Sequence, residues 1–183
     1  MNSVNRILVA ESDPNHVGLF LAALTEHRLT SDTVIVRDGR ETLDYLYRCG
    51  PFHAREGGSP TVIFLSANLP TLDGLQVLHR IKSDHLLKTI PVVVLAPTLE
   101  EDVLKQSYIL GANAFIVKSP DAGTFVSNAK ALVSFWGLIN EAPPGSARKG
   151  KDPSGQTRTD GSTTQASSKS RDPEDTIHRI GSS

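Results

Sequence analysis

Cysteine is almost missing from this chain. The single Cys49 excludes an internal disulfide and supplies no thiolate cluster for a metal, a usage that suits a reducing compartment. Cys49 reads as a small apolar filler near a helix end. Long hydrophobic runs are missing too: none approaches the roughly 18 residues of a membrane helix. The N-terminus "MNSVNRILVAESDP" has no apolar core behind a basic start, so no secretory signal is expected. Nor is there an excess of either charge. Nineteen Lys and Arg stand against twenty Asp and Glu, a formal charge of −1, and no global field draws the protein to nucleic acid or an anionic membrane. These absences point to a soluble, cytoplasmic protein that binds neither.

Large apolar residues are scarce after about Asn140. Residues 141–183 are rich in Pro, Gly, Ser and Thr, and cannot bury enough surface to offset the entropy of ordering. They are expected to form a disordered tail, with residues 1–140 as the folded domain. The tail holds seven basic and six acidic residues, which makes it a mixed-charge segment and not a basic arm. Near its end, "EDTIHRI" spaces Ile177 and Ile180 three apart, as a short docking turn would, but an unstructured terminus is the expectation.

What is present, in residues 1–140, is an alternation. Short apolar runs occur at 6–10 (RILVA), 33–36 (TVIV), 61–65 (TVIFL), 91–96 (PVVVLA) and 114–117 (AFIV). Three are apolar nearly throughout, the mark of strands covered on both faces. Between them the spacing is helical: Val17, Leu21 and Leu24, then Leu43, Leu46 and Tyr47, then Leu75, Leu78 and Ile81. A fourth helix is expected from about Leu99 to Leu110, ending at Gly111. A fifth follows Phe125, Ala129, Leu132 and Trp136. Asp13 and Pro14 suit the N-cap and first position of the first helix, and Asp73-Gly74 opens the third. Five strands alternating with five helices imply an α/β, flavodoxin-like (βα)5 doubly wound parallel sheet of order 2-1-3-4-5.

In such a sheet the site lies beyond the carboxyl ends of the strands. There Glu11 offers a carboxylate, Ser66 a hydroxyl, Ala96 a methyl group and Lys118 an ammonium. No glycine-rich loop opens a helix as a phosphate cradle, since the Gly pair at 57–58 precedes a strand. None of the six histidines follows a strand where it would activate Ser66, and a serine without a base is a weak nucleophile. One sure carboxylate does not make a metal site.

The stretches "ILVAESDPNHVGL", "VRDGRETLDYL", "FLSANLPTLDGLQVLHRIK", "IPVVVLAPT", "LGANAFIVKSP" and "SFWGLI" carry a resemblance. Residues 5–139 resemble the receiver domain of two-component response regulators, most of all the stand-alone receivers that accompany bacterial phytochromes. The long 48–60 connection fits that subgroup.

The resemblance implies a phosphoacceptor aspartate at the end of the third strand, and this chain has Ser66 there. It implies an acidic pair for Mg²⁺ after the first strand, where Glu11 and Ser12 stand, so the second acid is missing. The metal-facing carbonyl position is Asn68. The Ser/Thr switch position is Ala96, the lysine is retained as Lys118, and the switch aromatic position is Phe115. The family's Lys-Pro, whose peptide is typically cis, becomes Lys118-Ser119-Pro120, where a cis bond before Ser119 would be costly.

These departures form one set. The family site sets three carboxylates against one lysine, a net charge that a divalent cation neutralises; Glu11 and Lys118 alone sum to zero. The expectation is a pseudo-receiver: not an enzyme, without phosphotransfer, with no cofactor and with Mg²⁺ binding weak or absent. Asp13 is expected to cap a helix and not to replace the lost acid, and Glu11 and Lys118 are expected to form an ion pair or to meet water across the pocket. The chain is then a non-catalytic signalling module acting through protein partners, a histidine kinase or another regulator among them, with a homodimer left open. The alternative is a switch phosphorylated on Ser66 or on the tail by a Ser/Thr kinase.

Overall fold

The computed structural model describes residues 7–146. The segment from 147 to 183, with "EDTIHRI", lies outside the described residues.

Five parallel strands form one sheet in the order β2-β1-β3-β4-β5: β1 (Ile7–Ala10), β2 (Thr33–Val36), β3 (Val62–Ser66), β4 (Val92–Ala96) and β5 (Ala114–Val117). The strands β1, β3 and β4 are buried along their whole length. That burial explains why their sequences do not alternate: both faces are covered. Each strand is followed by a helix, namely α1 (Pro14–Glu26), α2 (Gly39–Tyr47), α3 (Gly74–Ser83), α4 (Glu101–Ile109) and α5 (Ala122–Ser134). One π-helical turn, Phe135–Ile139, extends α5. This is the doubly wound (βα)5 architecture expected from the alternation.

Two cores flank the sheet. Leu8, Ile63, Leu65 and Val94 pack against Leu46, Leu78 and Ile81 of α2 and α3. Val9, Phe64, Val93 and Leu95 pack against Phe20, Leu24, Phe125 and Val133 of α1 and α5. Trp136 is half-buried against this second core, while Phe135, Leu138 and Ile139 are exposed.

Three readings need correction. Tyr47, assigned to the core-facing stripe of α2, is exposed, and Tyr45 is buried in its place. The cause is the 48–60 connection, which covers that side of α2: Phe52 meets the Tyr45 ring edge-on at 5.2 Å, and the Arg55 guanidinium lies 4.4 Å above it. Cys49 is exposed and fills no gap. Arg48 adopts a left-handed conformation at φ 57°, which ends α2 and turns the chain outward before Cys49. Leu99 precedes α4 and is exposed, so that helix starts two residues later than its spacing implied. Beyond Asn140 the described chain continues to Ser146, burying Ala142 and pairing Ser59 with Ser146.

Candidate functional site

The site is built by strand ends in register. Ala10 lies beside Leu65, Ser66 beside Leu95, and Ala96 beside Val117. The residues just past β1 and β5 stay tied to the sheet, because the Glu11 amide donates to Val36 O (3.0 Å) and the Lys118 amide to Ala96 O (2.7 Å). Their side chains therefore converge over the carboxyl edge.

Lys118 Nζ donates to Glu11 Oε2 at 2.8 Å and to Ser66 Oγ at 3.2 Å. Ser66 Oγ donates onward to the Asn68 carbonyl at 3.3 Å. The second carboxylate oxygen of Glu11 accepts from the Asp13 amide at 3.1 Å. Glu11 is 2% exposed, Lys118 7% and Ser66 0%, so these three side chains lie beneath the surface. A charge buried to this degree needs a partner, and each has one.

The direction of the bonds bears on chemistry. A serine beside a lysine can act as a nucleophile when a neutral amine takes the serine proton. Here the lysine is a donor to the serine and to a carboxylate, and the serine proton is directed to a backbone carbonyl. The arrangement holds Ser66; it does not activate it.

Around this network, Ser12 is half-buried and Ala96 is buried, with no hydroxyl to offer. A recess of about 40 Å³ lies beside Ala96, between Asn68, Thr98 and Val103. Phe115 is half-buried and packs against the first core. Asp13 caps α1, its Oδ1 accepting from the Asn15 amide at 2.8 Å. Asp73 caps α3 in a reciprocal box with Gln76. Both aspartates are thus engaged at helix starts. Among the described residues no group of three or more His, Cys, Asp or Glu is placed to hold a metal ion.

The structure thus brings Glu11, Ser66, Asn68 and Lys118 into one network, with Ser12 and Ala96 at its margin and Phe115 apart from it. The pairing of Glu11 with Lys118 joins opposite charges just past β1 and β5, strands that β3 and β4 separate in the sheet. The bond from Ser66 to Asn68 O and that from Asp13 N to Glu11 were not visible in the sequence, because backbone partners leave no trace in residue type.

A five-stranded parallel sheet of this order, with a lysine and a carboxylate meeting over the end of its third strand, is the architecture of a receiver module. The response regulator receiver domain profile matches residues 7–130, and the chain belongs to that family. The response regulator Rcp1 of Synechocystis is 32% identical over 130 residues, 71% of this chain and 87% of that protein. The phosphorylated cyanobacterial phytochrome response regulator RcpA superposes with a TM-score of 0.72 at 35% identity, covering 76% of this chain and 99% of that one. The bacteriophytochrome response regulator RtBRR is 43% identical, with a TM-score of 0.62, over 78% of this chain and 86% of that one. This is a receiver domain of two-component signalling, related to phytochrome response regulators.

Proposed function

We propose that this receiver works without aspartyl phosphorylation, as a non-catalytic module that signals by binding other proteins. The observation that carries the reading is Ser66: the end of β3 presents a fully buried hydroxyl, hydrogen-bonded on both sides, where the family places its phosphoacceptor carboxylate. A hydroxyl cannot form an acyl phosphate. The Mg²⁺ that the family would use does not fit either. Glu11 is already neutralised by Lys118, residue 12 is a serine, and Asp13 is spent on the cap of α1. Binding of Mg²⁺ is therefore weak or absent, and with it goes the cation that screens a transferring phosphoryl group.

Partner binding falls to the surface. Leu99, Tyr108, Ile109 and Val117 are exposed around α4 and β5, and Phe135, Leu138 and Ile139 at the end of α5. This apolar surface suits a kinase, another regulator or a second copy of the chain. Phosphorylation of Ser66 by a Ser/Thr kinase is disfavoured by its burial.

The test is to incubate the full chain with Mg²⁺ and a small-molecule phosphoryl donor and to weigh the intact protein. No Mg²⁺-dependent gain of a phosphoryl mass is expected. A gain that the Ser66→Ala variant does not show would overturn the reading.

A further inference from the structure

We propose that Lys118 is the built-in cation of this site. Its ammonium takes the electrostatic role left by a metal and, with Glu11, Ser66 and Asn68, clasps the loops after β3 and β5 without any ligand. The inference rests on the reading that position 66 receives no phosphoryl group.

The site is not merely poor in metal donors; the donors it retains are occupied from within. One oxygen of Glu11 accepts from Lys118 and the other from the Asp13 amide. The Asn68 carbonyl accepts from Ser66 Oγ, and Ser66 Oγ in turn accepts from Lys118. An ammonium with three donors and a single charge balances one carboxylate, whereas a divalent cation would leave an excess of positive charge beside it. Lys118 arises after β5 and reaches across the end of β4 to β3 and β1. At that crossing β4 ends in Ala96, whose methyl group presents nothing to compete for the ammonium. The consequence is mechanical. The loop from Ala67 to Asp73 and the loop from Lys118 to Asp121 are joined through side chains that sit beneath the surface, so their relative position does not await a ligand.

Hydrogen exchange of the full chain, read by mass spectrometry over segments 66–73 and 118–121, tests this. Two variants are compared with the wild type: Ser66→Ala, and the charge-balanced pair Glu11→Gln with Lys118→Met, which avoids stranding a buried charge. Both are expected to exchange about tenfold faster in both segments, the factor for losing a hydrogen bond to a charged group, with β2 unchanged. Wild-type exchange is expected to be indifferent to millimolar Mg²⁺. If the double variant does not fold, Ser66→Ala decides alone. Unchanged exchange in the variants overturns the clasp, and so does a saturable slowing of wild-type exchange by Mg²⁺. Phosphoryl uptake by the wild type would instead strike the parent reading, and weighing the intact protein detects that separately.

Discussion

Gly74 has no room for a side chain. A Cβ added there would stand 2.1 Å from the Ser66 carbonyl oxygen and 2.8 Å from that of Ala67, so α3 starts in direct backbone contact with the end of β3. The Gly74 amide donates to Ala67 O at 2.9 Å and fixes that contact. The Asp-Gly pair is legible as a helix start, but the closeness of the packing is not. Gly74→Ala should push the loop of Asn68 away from the strand and destabilise the domain by about 1–3 kcal/mol, as overpacking does. Urea unfolding measures it, and a variant as stable as the wild type would show that the loop yields freely. Ser66 shows the same division. Its residue type excludes an acyl phosphate at position 66, yet its fixed hydroxyl depends on a lysine 52 positions later in the chain.

The elements show how packing redirects a helical pattern. Tyr45 and Tyr47 both lie on α2, and spacing alone favours Tyr47 for the core. The 48–60 connection supplies Phe52 and Arg55 as cover on the other flank, and Tyr47 is left to reach Asp84 through its hydroxyl at 3.0 Å. Asp84 organises the connection between α3 and β4. Its carboxylate accepts from the Leu86 and Leu87 amides at 2.8 and 3.2 Å. The Leu86 amide, with the Tyr47 hydroxyl and the Leu87 amide, holds the Asp84 carboxyl below its ordinary value of 3.8. A carboxyl depressed in the folded state favours folding fully above the unfolded value, and the gain is lost as pH falls through the folded one. Amide protection of Leu86 and Leu87 should therefore be flat from neutral pH to about pH 4 and drop below it. In Asp84→Asn the protection should be lower at neutral pH and insensitive to this titration. A wild-type profile without the acid drop would exclude the carboxylate as the organiser.

At the scale of the whole molecule, the composition shift near Asn140 does not coincide with the last packed residue. Ala142 is buried, the Ser59 amide donates to Gly145 O at 3.3 Å, and Ser59 pairs with Ser146. Residues 141–146 thus close over the connection that precedes β3, although their sequence, EAPPGS, is as poor in large apolar side chains as residues 147–183. A chain ending at Asn140 should melt measurably below one ending at Ser146. Thermal unfolding of the two truncations compares them directly, and equal melting temperatures would show that the Ser59 contact adds nothing.

Residue order alone carries the fold. Unbroken apolar strands separated by capped helical segments admit one doubly wound sheet, because strands buried on both faces must be covered by the helices between them. Residue identity alone puts serine at 12 and 66 and alanine at 96, where the family resemblance implies two carboxylates and a hydroxyl. What stands in their place comes from the folded arrangement. The bonds that join Lys118 to Glu11 and Ser66 connect strand ends far apart in the chain, and the bond from Ser66 to Asn68 ends on a backbone atom. Local pattern carries no record of such partners; they exist because the twist and register of the sheet bring those strand ends to one point.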